Sequence, residues 1–427
     1  MPASWPPPRP PVNRKARSSF IRIPIYRDSE RIKNQRLHDP VATAPGSDTD
    51  LILRIAIDAH SVGARLGGNE TYAINLIEAL AAIDQTNLYT LYVTKPEAIE
   101  RFADRWPNFT VKQTLPHTPL VRIPLTLSRE LRRHPVDVLH VQYTAPPLAP
   151  CPVVTTIHDL AFEHLPETFN RRSWMQLRLT VRRTAKKAAQ IITLSEYSRQ
   201  DISNTYKIPS ERITVTPAAA SEKFFPVTDG SELKTIRKTY GIERDYIFSL
   251  GSIQPRKNLI RLIEAYSLLR SASGDIKLPQ LVLAGKRGWL DNETIRAAER
   301  ESVAGDIVFT GYVAKEHLNA LYSGATCFVY PSYFEGFGLP ILEAMQCGSP
   351  VVAGDRTSIP EVAGEAALLF DPFDTNSLVA ALQRLLSDPE YRATLSAKGL
   401  QRASAFSWKT TARLTLEIYE RAARVKA

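Results

Sequence analysis

Glu335 and Glu343 stand on either side of a glycine pair in the stretch from Tyr330 to Pro350, YPSYFEGFGLPILEAMQCGSP, with seven residues between them. The stretch follows ATCFVY, a short apolar run that reads as a buried strand, and Gly336 and Gly338 open directly into an apolar helical pattern. Glycines at such a strand-to-helix turn let backbone N–H groups approach a ligand, and the helix N-terminus beyond them favours a bound anion. With a helix beginning near Leu339, Glu343 lies about one turn inside it, so both carboxylates are able to face one crevice. Two acids beside an anion repel it unless they address something else. Vicinal hydroxyls are the natural alternative, as at the ribose of a dinucleotide. A phosphate flanked by two polyols describes a nucleotide-sugar. Taken singly, the two acids read equally well as a helix N-terminal charge (Glu335) and a solvated one (Glu343).

A second cluster supplies the opposite charge. Gly251, Arg256 and Lys257 lie in LGSIQPRKN, immediately after a strand. Arginine offers a planar fork for phosphate oxygens and lysine a mobile point charge, and together they can offset a diphosphate leaving group. Read alone, the two are also compatible with solvated charges beyond a strand. His158 ends the strand of CPVVTTIHD, where a lone histidine is structural more often than functional, and Gly67 and Gly68 precede a helical pattern after the first strand.

These groups need a scaffold that delivers loops to one place. LILRIAID (Leu51 to Asp58) begins the ordered fold, and Gly67 and Gly68 lead into a helix over about Glu70 to Ala82. Strand, glycine loop, helix is the opening of a doubly wound sheet. The GxGxxG fingerprint and its later acid are missing, so a nicotinamide dinucleotide is not expected. LYTLYVT, VDVLHVQY, CPVVTTIHD, IITLS and ITVTP read as further strands, and the basic segment Asn170 to Gln190 as an amphipathic helix. Ser195 or Ser198 is placed to cap the helix that follows. The alternation repeats after Phe225, so the economical reading is two α/β halves with the site in their cleft. The chain then divides into a proline-rich basic leader (1–50), an acceptor-side domain (51–225), a donor-side domain (226–405) and a closing helix (406–427) that crosses back to brace both halves. Within the leader, FIRIPIY (Phe20 to Tyr26) is able to dock or to add an edge strand.

Composition bounds the alternatives. A hydrophobic fraction of 44% and a charged fraction of 23% over 427 residues describe a globular chain with room for two domains. No apolar run approaches the roughly 18 residues of a membrane span, and prolines and arginines interrupt the N-terminus where a signal peptide would be apolar. Three cysteines without CxxC spacing suggest a reducing, cytoplasmic compartment and neither a disulfide framework nor a zinc site. The net charge of +10 fits phosphate-bearing substrates or an anionic membrane surface. It comes without any zinc-finger, basic-zipper or RNP signature, so nucleic acid is not an expected partner.

The segments GGNETY, HDL, GSIQPRKN, TGYVAKEHLNALYSGA, PSYFEGFGLPILEAMQCGSPVVA and SIPEVAGEAALLFDP together resemble the retaining glycosyltransferases of family 4, over about Arg54 to Ala423. The resemblance implies the GT-B fold, two Rossmann-like domains facing across a cleft. It assigns Glu335 to the donor hexose, Glu343 to the ribose hydroxyls, Lys257 to the diphosphate and His158 to the donor sugar. Where many members carry an arginine after the first glycine of the donor-domain loop, this chain has Ser252, and Arg256 is expected to supply that charge. Gly67 and Gly68 would bring backbone to the phosphate or acceptor. Gly336, Phe337, Gly338 and Leu339 would line the donor, and Gly311, Tyr312 and Val313 the nucleobase.

The expected reaction is transfer of a hexose, most simply mannose from GDP-mannose, with a UDP-sugar as the other donor, onto a glycan or lipid-linked oligosaccharide. Arg256, Lys257 and backbone N–H groups would stabilise the departing diphosphate. No obligatory metal or cofactor is implied. Spacing alone makes neither glutamate a nucleophile. A nucleotide-sugar epimerase on the same architecture and a noncatalytic nucleotide-binding protein are the competing readings. Peripheral contact of the basic segments RELRRHP and NRRSWMQLRLTVRRTAKK with the inner membrane face is a further expectation.

Overall fold

The computed structural model of the protein describes residues 52–64, 67–274, 277–286, 292–300 and 303–425. The leader, with FIRIPIY, lies outside these residues. Two all-parallel sheets carry the fold. The first holds β1 (Arg54–Asp58), β2 (Leu88–Val93), β3 (Phe109–Gln113), β4 (Val138–Gln142), β5 (Val153–Thr156), β6 (Gln190–Thr193) and β7 (Ile213–Val215), in spatial order β3-β2-β1-β4-β5-β6-β7. The second holds β8 (Tyr246–Leu250), β9 (Gln280–Ala284), β10 (Ile307–Gly311), β11 (Cys327–Tyr330), β12 (Val351–Gly354) and β13 (Ala367–Phe370), in order β10-β9-β8-β11-β12-β13. Most of these strands are near-continuous apolar runs because helices cover both faces, as in QLVLA and CFVY, buried throughout. The arrangement is the doubly wound α/β architecture that the alternating pattern predicts.

In both sheets the strand order reverses beside the first strand, between β1 and β4 and between β8 and β11. Loops at the carboxyl ends there diverge to opposite faces and leave a crevice. The segments after Asp58, Leu250 and Tyr330 therefore open toward ligand space, and these are the segments that hold the glycine loop, the Arg256–Lys257 pair and Glu335. Both sheets belong to one compact unit.

The helix after β1 starts two residues earlier than the apolar periodicity suggests, at Gly68, and runs to Ile83. His158 sits in the loop after β5 and not in the strand. Ser195 caps the helix Glu196–Tyr206 by accepting the Ser198 N–H, which selects between the two serines. The last helix, Trp408–Arg424, buries Trp408, Ala412, Ile418 and Tyr419 and packs against the opening helix Gly68–Ile83 and the first sheet. Tyr419 reaches His140 of β4, with 2.6 Å between the hydroxyl and Nδ1. Thr411 donates to the carbonyl of Pro217, and Arg421 donates to Thr214 at 3.1 Å. Among the described residues no helix is long and apolar enough to cross a membrane.

Candidate active site

The loop after β11 is built for close contact with the other sheet's loops. A Cβ at Gly336 would lie 2.0 Å from the carbonyl oxygen of His158 and 2.9 Å from the Cβ of Asp159, so only glycine fits. Ser195 and Ser198 hydroxyls donate to the Gly336 carbonyl at 2.8 and 3.2 Å, and Ser198 also reaches the His158 carbonyl at 3.2 Å. Gly338, at φ +105°, then turns the chain into the helix Leu339–Gln346. A second tie lies beside it, where the Glu361 carboxylate accepts the backbone N–H groups of Glu196 and Tyr197 at 2.7 and 3.1 Å. That acid satisfies orphan donors at the start of the Glu196–Tyr206 helix.

Glu335 is buried at the head of this loop. Its carboxylate meets Lys257 Nζ at 2.6 Å and Arg256 Nη1 at 3.0 Å. Lys257 also donates to the Tyr330 hydroxyl at 2.8 Å, and Arg256 to the Phe334 carbonyl at 3.0 Å. The turn that carries the two cations is clamped to the loop by Asn258, at φ +57°. Its side-chain amide donates to the carbonyls of Pro331 and Pro372 at 3.1 and 2.8 Å. Burial alone would raise the Glu335 carboxyl, but Arg256 and Lys257 override it and hold the group at about 2. Burial lowers the Lys257 ammonium, with Glu335 opposing. Burial also works against the Arg256 charge, yet Glu335 and then Asp159 leave that guanidinium more basic than usual. Burial raises the Asp159 carboxyl, with Arg256 opposing, and Asp159 is the second acid beside the two cations.

Glu343 has a different environment. It lies on the Leu339–Gln346 helix and accepts from the Tyr322 hydroxyl at 2.9 Å. Burial pushes its carboxyl up to about 7, with the Tyr322 hydrogen bond and Lys315 opposing. The two glutamates are thus both buried, one fixed as an anion and the other poised to change charge near neutrality.

His158 Nε2 lies 2.9 Å from Gln142 Oε1, while Gln142 Nε2 donates to Ser61 at 3.1 Å. With the amide oriented by Ser61, His158 Nε2 carries the proton and Nδ1 is left as an acceptor. Burial lowers this imidazole to about 4, so it works as a neutral hydrogen-bonding group. The rings of Tyr72 and Tyr143 stand edge-on at 4.8 and 5.6 Å.

The glycine positions differ in role. Gly67 and Gly68 have open space where a side chain would go, consistent with a loop that faces a ligand. Gly251 is approached by Gly285, where a Cβ would lie 1.9 Å from the Gly251 carbonyl oxygen. That contact presses the loops after β8 and β9 together. Gly311 ends β10 and accepts the Gly285 N–H at 2.8 Å, Tyr312 is exposed with Lys286 Nζ 5.2 Å above its ring, and Val313 is buried. Phe337 is buried and contacts Phe406 edge-on at 5.9 Å, so its side chain packs against the chain leading into the last helix.

Sequence reading misses several residues of this region. Asp58, at the end of β1, holds Arg122 in a fully buried two-bond pair at 2.8 and 3.0 Å. Burial would raise the Asp58 carboxyl, but His60 and Arg122 bring it well below its ordinary range. The pair anchors the segment before Gly67, yet its members share no local motif. Asp159 is visible only as the neighbour of His158, and Gly285 only as one glycine after a strand. Among the described residues no three His, Cys, Asp or Glu side chains gather as metal ligands would.

Residues 66–220 match the family model described as Glycosyltransferase Family 4, and residues 234–402 the one described as Glycosyl transferases group 1. The chain is similar to O-antigen chain mannosyltransferase B of Escherichia coli, 37% identical over 267 residues that cover 62% of this chain and 70% of that protein. Among solved structures it is similar to a sucrose-phosphate synthase from Thermosynechococcus elongatus, with a TM-score of 0.70 at 22% identity, covering 86% of this chain and 98% of that one. It is also similar to Anabaena HepE, solved with UDP and glucose, with a TM-score of 0.66 at 18% identity, covering 86% and 99%. At these identities the structural likeness is one of fold.

Proposed function

The chain belongs to glycosyltransferase family 4 and is a glycosyltransferase of GT-B fold, and on that premise we propose that it moves mannose from GDP-mannose to a glycan or lipid-linked oligosaccharide with retention of anomeric configuration. The observation that carries this reading is the buried Glu335–Lys257–Arg256 cluster, closed against the backbone of His158 at the carboxyl ends of two sheets. Similarity to the E. coli mannosyltransferase supports the choice of sugar.

In this reading the donor diphosphate enters between Arg256 and Lys257, and Glu335 exchanges part of its cation contacts for hydroxyls of the hexose. Glu343 accepts from the ribose hydroxyls, and backbone at Gly311 to Val313 follows the base. His158 Nδ1 accepts from a sugar hydroxyl. The bond from the anomeric carbon to the phosphate oxygen then breaks, leaving an oxocarbenium-like sugar and a diphosphate whose growing charge Arg256, Lys257 and the loop N–H groups stabilise. The acceptor hydroxyl attacks from the face the diphosphate leaves, and its proton passes to the leaving phosphate oxygen. Glu335, held near 2 between two cations, is a weak nucleophile, which favours this course over a covalent glycosyl-enzyme. The acceptor approaches from the first sheet, at the inner face of the cytoplasmic membrane, where the basic helix Arg171–Lys187 meets anionic headgroups.

The test is a screen of GDP-, UDP- and ADP-sugars read by diphosphate release, with NMR of the product's anomeric centre. Release from GDP-mannose with retained configuration is expected. An inverted product, or no turnover of any mannosyl donor, rejects the proposal. Appearance of a free epimer without acceptor would assign the epimerase reading instead.

A further inference from the structure

Every crossover between neighbouring strands of the first sheet contains a helix except one. The link from β4 to β5, residues 143–152 (YTAPPLAPCP), carries four prolines and has no helix. Proline fixes φ and lacks the N–H that a helix interior needs, so this link forms bends and a turn at Pro147 and Leu148 in place of a helix. Where a crossover helix would lie there is instead a groove of about 820 Å³, within the roughly 300–1,000 Å³ typical of small-molecule sites.

Its lining is mostly apolar, with basic side chains and no acidic ones. Leu120, Ile123, Leu148 and Ala149 are among its apolar lining. Arg183 and Lys187, four apart on the Arg171–Lys187 helix, line it with Arg212, whose guanidinium is taken up by the carbonyls of Ala185, Lys186 and Ala188. Leu148 is 69% exposed and Leu120 53%. Arg183 and Lys187 are exposed, and neither forms an ion pair among the described residues. One end of the groove begins at Thr144, directly after Tyr143, whose ring lies 5.6 Å from that of His158.

An apolar trough with two unpaired cations selects an anionic amphiphile. The leader is a poor occupant, because residues 1–50 carry nine Lys and Arg against five Asp and Glu. A second copy would bring like charges together. We propose that the groove binds the hydrocarbon chain of a long-chain lipid phosphate, with Arg183 and Lys187 taking the phosphate, and so seats the lipid anchor of the acceptor beside the transfer site. The purpose of this seat rests on the transfer reaction proposed above, but its occupancy does not require turnover.

The full chain should be titrated by calorimetry with decyl phosphate below its micelle concentration, with inorganic phosphate and uncharged decyl maltoside as parallel arms. Decyl phosphate is expected to bind one per chain. Leu148→Glu and the double variant Arg183→Gln/Lys187→Gln each change exposed side chains, and each should weaken decyl phosphate binding at least about 10-fold, the scale of one lost charge-assisted contact. GDP affinity and thermal midpoint serve as fold controls and should not move. Absent decyl phosphate binding, or binding unchanged in both variants, overturns the proposal. So does equal affinity for inorganic phosphate, which would mark a simple anion site, or for decyl maltoside, which would mark an apolar patch indifferent to charge. Because chain binding is read without transfer, an empty groove on an active mannosyltransferase and a filled groove on an inactive one are told apart.

Discussion

Glu335 is held by two cations in a nearly dry loop, so changing it alters both the sugar contact and the charge balance around the phosphate site. Leaving Arg256 and Lys257 without their carboxylate costs the empty protein about 3–5 kcal/mol by the usual measure of a broken buried pair. A bound diphosphate compensates those same cations. Glu335→Gln is therefore expected to lower the stability of the empty protein and to keep or raise its affinity for free GDP. Transfer should slow by about 100-fold or more, the scale of one lost transition-state contact. Calorimetry with GDP beside turnover of GDP-mannose checks this, and parallel loss of both would move Glu335 off the sugar. Glu343 gives a pH signature. Its raised carboxyl contributes fold stability that is complete below the ordinary carboxylate value and disappears as pH rises through about 7. Nucleotide binding that needs the ionised form should then release close to one proton at about pH 6 and almost none at about pH 8.5. Calorimetry in two buffers of different ionisation enthalpy measures that release, and Glu343→Gln should abolish it.

At the scale of elements, the decisive contact is between the loop after β11 and the loop after β5. Gly336→Ala places a methyl group on the His158 carbonyl, where neither backbone can yield without separating the two loops. A loss of about 1–3 kcal/mol in denaturant unfolding is expected, typical of overpacking, together with loss of transfer. Gly230→Ala, at the start of the Gly230–Thr239 helix with open space around it, is the matched control and should be neutral or slightly stabilising. The elements that carry this contact are legible in the sequence because β11 is an unbroken buried apolar run and β5 and β6, VVTT and QIIT, are largely buried and rich in β-branched residues. β3 is not legible. FTVKQ lies at the sheet edge with only its first residue buried, so it lacks that signal. The helix Pro96–Phe102 is equally hidden, being short and set by packing rather than by periodicity. The residues of the site divide the same way. Glu335, Glu343, Arg256 and Lys257 sit in local motifs, whereas Asp58 finds Arg122 across 64 residues and His140 finds Tyr419 across 279.

For the molecule as a whole, the last helix belongs energetically to the first sheet. Tyr419 bonds His140, which in turn reaches Thr156 at 2.7 Å, and Thr156 lies 3.2 Å from the Tyr72 hydroxyl. Burial lowers the His140 imidazole to about 3, so the chain of contacts joins neutral groups. Tyr419→Phe leaves the His140 Nδ1 without a partner in a closed environment and should cost about 1–3 kcal/mol. In native-state hydrogen exchange, residues 408–424 should open together with β1, β4 and β5 rather than with β8 to β13, and Tyr419→Phe should speed exchange in that first group alone.

The same connection constrains how the chain is made on the ribosome. His140 emerges 279 residues before Tyr419, which at about 5–20 residues per second is a delay of roughly 14–56 s. Once β7 has emerged, the first sheet has its strands but lacks its final cover, the helix that packs on Gly68–Ile83 and on β4, β5 and β6. The first sheet is thus completed by emergence of the helix Trp408–Arg424 rather than by synthesis of its own strands.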